Sequence, residues 1–279
     1  MPELPEVETI ARGLDPALRG RRIRSVDVLD AISAPQGPKP LAKRLAGRRV
    51  LAVRRRAKLL LLDLEPDLVL AVHLRMTGGV TADLDTDEVR RFARIRFNLD
   101  DGGFFVFTDI RRFGSCQAFA PAELAAWPFY ASLGPEPLDM SPELFVERLG
   151  AGSRAIKAAL LDQTVLAGVG NIYADESLFR AGIRPQDKTS AVSAPRLRRL
   201  HKELQQVLAQ AIRENGSSIR DYRDAGGNAG AFQNHFNVYG RAGEACRACG
   251  ATLRGAKVGG RSTTYCPKCQ PASPPPSAV

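Results

Sequence analysis

Residues 58–76 read KLLLLDLEPDLVLAVHLRM. Two apolar runs, KLLLLDLE (58–65) and LVLAVHLRM (68–76), are too short for separate helices and read as strands. Working outward, RIRSVDVL (22–29), RRVLAVRR (48–55), ARIRFNL (93–99), GFFVFTD (103–109) and CQAFA (116–120) read the same way, with DDGG (100–103) as a hairpin turn. Ahead of the strands, Val7, Ile10, Leu14 and Leu18 recur at helical spacing. Glu3, Glu6 and Glu8 stand in the early turns, where the helix dipole favours anions, and Gly20 is placed to end the helix. Residues 1–130 are therefore expected to form an antiparallel β-sandwich with a leading helix.

Beyond this the period changes. A stretch rich in Pro and Gly, ASLGPEPLDMSPE (131–143), marks a linker, placed over 131–152. RAIKAALLDQ (154–163) is helical, TVLAGVGN (164–171) is a Gly-rich connection, and IYADESLFRAG (172–182) is helical again. A long helix spans 194–216, with Ser193 as its cap and Leu197, Leu200, Leu204, Val207, Leu208 and Ile212 on its core face. A helical domain over 153–240 follows, within which Gly216–Gly230 is expected to be a long mobile loop. The tail 271–279, rich in Pro and small residues, is expected to be disordered.

The 279 residues are 44% hydrophobic and 25% charged, an ordinary globular composition with room for two cores. No run reaches the roughly 18 apolar residues of a membrane span, and the acidic start is unlike a signal peptide, so the chain is expected in the cytoplasm. A net charge of +10 favours a polyanionic partner through counterion release.

Cys116 lies in a strand-like run and reads as a small core residue. The other four cysteines form CRACGATLRGAKVGGRSTTYCPKC (246–269), two CxxC pairs sixteen residues apart. A disulfide pair is the alternative, but the spacing, in a reducing compartment, fits a zinc site of Cys246, Cys249, Cys266 and Cys269 in a finger over 241–270. Four thiolates close the coordination shell, so this Zn2+ is expected to be structural, one per chain.

The terminus MPELPE raises its own question. Read alone it is a helix start. Removal of the initiator Met before a small residue would, however, leave Pro2 with a free secondary amine, partly unprotonated near neutral pH and thus nucleophilic.

MPELPEVET (1–9), RRAKLLLL (55–62), HLRMTG (73–78), DIRRFG (109–114), LLDQTVLAGVGNIYADESLFRAGI (160–183), VYGR (238–241) and the terminal CxxC pairs together resemble the bacterial formamidopyrimidine-DNA glycosylases, from Met1 to about Gln270. Leu4, where the endonuclease VIII-like branch usually has Gly, favours the formamidopyrimidine branch. The resemblance implies an α+β chain of two domains: the β-sandwich, then a helix-two-turns-helix bundle ending in the zinc finger, with DNA held in the cleft between. It also implies a bifunctional enzyme of base excision repair, a glycosylase for oxidised purines such as 8-oxoguanine and formamidopyrimidines and an abasic-site lyase. The partner is then double-stranded DNA containing oxidised bases, bound by a monomer in the bacterial cytoplasm, at the nucleoid. Two alternatives stand beside it: an endonuclease VIII-like enzyme for oxidised pyrimidines, and a non-enzymatic zinc-finger DNA-binding protein.

By resemblance the Pro2 amine attacks C1′ of the damaged deoxyribose, and Glu3 supplies and removes protons, with Glu6 ordering the helix through backbone contacts. Lys58 contacts the phosphate beside the lesion, and Arg261, at the finger tip, holds the flanking phosphates; these two join Pro2 and Glu3 as the catalytic set. His73 and Arg75 extend the backbone clamp. Met76, Arg111 and Phe113 fill the gap left by the extruded base, Arg111 pairing with the orphaned cytosine. Ile110 stands where relatives commonly have Pro. Asn171 starts a helix, as a cap or a phosphate ligand; Lys157 resembles a lysine near the flipped nucleotide, and Tyr239 and Lys257 are further phosphate partners. The loop SSIRDYRDAGGNAG (217–230) is the expected reader of the flipped base, with Ser218, Arg220 and Tyr222 as candidates.

Overall fold

The computed structural model describes residues 1–219 and 222–273. Arg220 and the tail from residue 274 onward lie outside the described residues. The chain forms two compact units, Met1–Ala131 with Ala211–Gln233, and Ser132–Gln210 with the residues from Asn234 on.

The first unit opens with α1 (Leu4–Leu18). Its strands are β1 (Ile23–Val28), β2 (Val50–Arg56), β3 (Leu59–Leu64), β4 (Leu68–His73), β5 (Gly78–Ala82), β6 (Ala93–Leu99), β7 (Phe104–Asp109) and β8 (Ser115–Phe119). They make two antiparallel sheets of four, ordered β1-β6-β7-β5 and β2-β3-β4-β8. Short helices α2 (Pro38–Leu45), α3 (Asp87–Phe92), α4 (Pro121–Ala126) and α5 (Pro128–Ala131) fill the connections.

The continuous apolar run of β3 is explained by covering on both faces. Leu60, Leu62 and Leu64 join Leu70 and Val72 against Ile95, Phe97, Phe105 and Phe107 in the large core, which also takes Val7, Ile10, Leu14 and Leu18 of α1. Leu59 and Leu61 point the other way, into a second cluster with Val69, Phe119 and Leu124, backed by Trp127 and Phe129. Cys116 is buried in the large core, as expected, and burial raises its thiol pKa.

The structure adds three features to this unit. GGVTA, not read as a strand, forms β5: two glycines weaken the pattern, yet the chain turns so tightly that a Cβ on Gly78 would lie 2.4 Å from the Leu74 carbonyl oxygen. Residues 211–233 cluster with the sandwich. The described part of the 216–230 loop is accordingly tied down: Ser218 Oγ donates to the Tyr222 carbonyl at 2.8 Å and accepts from Gly230 N–H at 2.9 Å, while Ala225 packs against Gly13 of α1.

The second unit contains α6 (Pro142–Gly150), α7 (Ile156–Leu161), α8 (Asn171–Ala181), most of α9 (Ala194–Arg213) and the finger hairpin β9 (Arg254–Val258) and β10 (Arg261–Tyr265). α6, capped by Ser141 Oγ accepting from Leu144 N–H, occupies the stretch expected to be a linker; its proline is at the first turn, where it costs no hydrogen bond. The α7–α8 connection is knit by Gln163, which donates to the carbonyls of Leu161 and Val169 and accepts from Gly168 N–H, each at 2.9 Å. α8 ends at Gly182 in the left-handed conformation. Leu197, Leu200, Leu204, Val207 and Leu208 of α9 are buried as expected, and Ile212 is half-buried.

Candidate functional sites in each unit

The terminus is not a frayed end. Pro2 is buried, and Glu3 is 2% exposed at the start of α1. Glu3 N–H donates to Glu6 Oε2 at 2.8 Å, and Glu6 Oε1 accepts from Ser217 N–H at 2.8 Å. The Tyr222 hydroxyl donates to the Glu6 carbonyl at 3.3 Å. Glu6 thus orders the helix start through backbone contacts, as expected, and also ties it to the 217–230 loop.

Lys58, in the turn before β3, and His73, at the end of β4, are both buried, and the β3–β4 register sets Leu59 opposite His73. His73 Nδ1 accepts from Arg75 N–H at 3.1 Å and its ring packs 5.3 Å from Phe129. Burial, reinforced by the charges of Arg75 and Lys58, pushes the imidazole down to about 3, so it stays neutral. Arg75 itself is exposed and held at a positive φ of 52°. The structure therefore gathers Lys58, His73 and Arg75 into one cationic corner.

Met76 and Phe113 are 39% and 55% exposed, large apolar side chains offered to solvent. The exposed Arg111 lies over the Phe113 ring at 4.7 Å. Their loop is pinned beneath: Arg112 makes a bidentate pair with the buried Asp30 at 2.7 and 3.0 Å, holding that carboxyl below the usual range, and Asp109 is fully buried under the loop.

In the second unit Lys157 is 0% exposed, its Nζ 2.7 Å from Asp175 Oδ1 and donating to the Ser262 carbonyl at 2.9 Å. The ammonium is thus held inside by Asp175 and by the carbonyl of Ser262, the residue that follows Arg261 in the chain. Asp175, 2% exposed, also accepts from the Thr263 hydroxyl at 2.5 Å and Thr264 N–H at 3.2 Å. Asn171 does not cap α8, whose N-cap is Gly170; its Nδ2 donates to the same Ser262 carbonyl at 3.0 Å. The finger strand is thus hung on three residues of α7 and α8. Glu176, fully buried, accepts from the N–H groups of Asn237, Val238 and Tyr239 at 2.9–3.0 Å, placing the half-buried Tyr239 against Phe236. Arg261 and Lys257 are exposed on the hairpin.

Sequence reasoning missed Asp109, Asp175 and Glu176. The usable signal was two adjacent acids inside the apolar helix YADESLF, and an Asp ending a strand before a loop, since an acid in such a place needs donors.

The four finger sulfurs lie within 4.8 Å of one another. Sulfurs at about 2.3 Å from one tetrahedral zinc stand about 3.8 Å apart, and Cys246–Cys269 and Cys249–Cys266 measure 3.9 and 3.5 Å. The spacing is far from a disulfide and fits one structural zinc.

Comparison with known domains resolves what such a chain is. Residues 1–116 match the formamidopyrimidine-DNA glycosylase N-terminal domain, 133–223 the formamidopyrimidine-DNA glycosylase H2TH domain, and 243–272 a zinc finger found in FPG and IleRS. Those domains in that order define an enzyme, a DNA glycosylase. Formamidopyrimidine-DNA glycosylases of Chloroflexus aurantiacus and Geobacillus kaustophilus are 45% and 42% identical to it, each over 97% of this chain and over 98% and 100% of the relative. A Lactococcus lactis FPG mutant solved with a Fapy-dG containing DNA is 34% identical, with a TM-score of 0.89 over 97% of this chain and 100% of that one. The L. lactis Fpg solved with an abasic site containing DNA gives 35% and 0.88 over 96% and 99%. The chain belongs to the formamidopyrimidine-DNA glycosylase family.

Proposed function

We propose that the enzyme removes oxidised purines from duplex DNA and then cuts the strand, with Pro2 as nucleophile after loss of Met1. The amine attacks C1′ as the glycosidic bond breaks and the base departs. Glu3 protonates O4′ as the sugar opens, leaving an iminium at C1′. That cation acidifies the C2′ hydrogen; its removal to a base expels the 3′ phosphate, a second elimination expels the 5′ phosphate, and water releases Pro2 from the sugar. Lys58 and Arg261 hold phosphates, assisted by His73, Arg75, Asn171, Tyr239 and Lys257. Met76, Arg111 and Phe113 fill the emptied stack. Lys157 acts from within, through Ser262. The domains that carry this chemistry are the sandwich over 1–130, the helical domain over 153–240 and the finger over 241–270. The enzyme works as a monomer in the bacterial cytoplasm, at the nucleoid.

The observation that carries this reading is the burial of Pro2 and Glu3 at an anchored helix start. Relatives solved with Fapy-dG and abasic-site DNA support the substrate class. A further neighbour is the wild-type L. lactis FPG solved with an oxidized pyrimidine containing DNA, which favours including oxidised pyrimidines in the range. Borohydride should trap protein covalently on lesion DNA through its N-terminal peptide, and Glu3→Gln should bind lesion DNA but excise poorly. A cross-link mapping to Lys58, or full activity from protein retaining Met1, would overturn the assignment.

A further inference from the structure

The three side chains assigned to the emptied stack come from two separate loops, Met76 after β4 and Arg111 with Phe113 between β7 and β8. One carboxylate joins those loops. Asp109 ends β7 with no exposed surface. Its Oδ1 accepts from the Thr77 hydroxyl at 2.5 Å and Arg111 N–H at 3.1 Å; its Oδ2 accepts from Phe113 N–H at 2.8 Å and Gly114 N–H at 2.7 Å. Thr77 Oγ1 also accepts from Arg111 N–H at 3.0 Å, which closes the ring between the loops. Arg94, the nearby cation, donates to the Asp109 backbone carbonyl at 2.7 Å, so the carboxylate is left to these four neutral donors.

The surroundings leave the loop little freedom. A Cβ on Gly114 would lie 2.7 Å from the Phe107 ring and 2.8 Å from the His73 carbonyl. Arg112 is held at a φ of +60° and bound to Asp30. Met76 is the residue directly before Thr77. All three fillers are thereby fastened to one buried group while their side chains remain exposed.

We propose that Asp109 is a positioning residue for opposite-base recognition: it makes Met76, Arg111 and Phe113 enter the duplex as one preformed body. This rests on the void-filling reading of those side chains given above. Its physical basis is that ordering each loop residue during insertion would cost conformational entropy, and a prepaid geometry avoids that. An asparagine cannot substitute, because its amide nitrogen would present hydrogens to donors that need an acceptor.

The test is single-turnover excision of one lesion opposite each of the four bases, alongside cleavage of a preformed abasic site, where no base has to be expelled. Asp109→Asn is expected to slow excision opposite cytosine about tenfold and to bring its preference over the other bases within about threefold, the scale of a lost bidentate base contact. Abasic-site cleavage is expected to fall by less than about threefold, because base expulsion is skipped. Thr77→Val should move both readouts the same way by less, and Thr77→Ser should restore them. An unchanged opposite-base pattern in Asp109→Asn, or an equal fall on lesion and abasic DNA, would overturn the proposal. If Asp109→Asn fails to fold, Thr77→Val decides by the same criteria. Arg111→Ala and Phe113→Ala complete the panel. Should they leave excision untouched, the void-filling reading itself fails; should they alter it while the Asp109 and Thr77 variants do not, only the positioning role fails.

Discussion

Asp109 and Asp175 are both buried carboxylates under a loop or strand that carries exposed arginine, yet they are satisfied in opposite ways. Asp109 takes four uncharged donors, while Asp175 is paired at 2.7 Å with a fully buried lysine and takes two more donors from β10. The difference follows from what surrounds them. Around Asp109 two sheets already fix the backbone on a large apolar core, so N–H groups can be aimed at one point. The finger has a small cluster, Val238, Cys246, Leu253 and Cys266, and needs charge and metal to hold its strand in place. A rigid scaffold can satisfy a carboxylate with neutral donors, where a small appendage is held by stronger links.

The contrast breaks most visibly if the metal is removed. Chelation, or Cys249→Ala, is expected to unfold the finger and abolish DNA binding while the sandwich keeps its fold, because binding energy and folding energy are the same for such a domain. Metal analysis, circular dichroism and a binding titration on one sample check it; chelated protein that binds lesion DNA unchanged would refute the dependence.

Next in size is the ion pair. Lys157→Met leaves Asp175 buried without its cation and is expected to cost about 3–5 kcal/mol, whereas Lys157→Met with Asp175→Leu should recover most of it. Denaturant unfolding of the three proteins measures this. If the single variant loses under about 1 kcal/mol, Asp175 does not depend on its charge partner and the contrast with Asp109 disappears.

His73 sharpens the same contrast from the sandwich side, where Lys58 and Arg75 face a neutral ring. Its folded pKa of about 3 lies below the ordinary 6.5. Between these values the unfolded chain takes up a proton that the native one refuses. Stability from this group is therefore complete above pH 6.5 and is lost as pH falls toward 3, by up to about 1.4 kcal/mol per pH unit. His73→Gln should flatten that acid limb, as followed by thermal melting across the window; an unaltered slope would show that other groups carry it.

The smallest effect belongs to the exposed finger tip. Arg261→Ala should leave melting unchanged, weaken binding to damaged and undamaged duplexes alike, and reduce the salt dependence by about one unit of slope. Titrations at several salt concentrations read it out, and a loss confined to lesion DNA would give Arg261 a different role.

Much of this molecule is legible along the chain, for identifiable reasons. Val7, Ile10, Leu14 and Leu18 announce α1, the leucines of β3 and β4 announce strands, and two CxxC pairs announce zinc, because each signal is periodic or closely spaced and survives without knowledge of its neighbours. β5 was not legible, since two of its five residues are glycines and its pairing with β7 supplies what its side chains do not. α6 was hidden behind Pro142, which sits harmlessly in its first turn after the Ser141 cap.

The sequence by itself therefore determined α1, the strands other than β5 and the metal, which depend on local side-chain pattern, while the candidates for chemistry came from the resemblance to a family. Only the tertiary structure decided that residues 211–233 return to the sandwich, that Glu6 takes Ser217 N–H as well as that of Glu3, that Asp109 serves two loops, and that Lys157 faces Asp175 rather than solvent. The physical reason is one and the same: a buried carboxylate is satisfied by whichever donors folding brings to it, and Ser217 is 211 residues from Glu6 while Thr77 is 32 from Asp109.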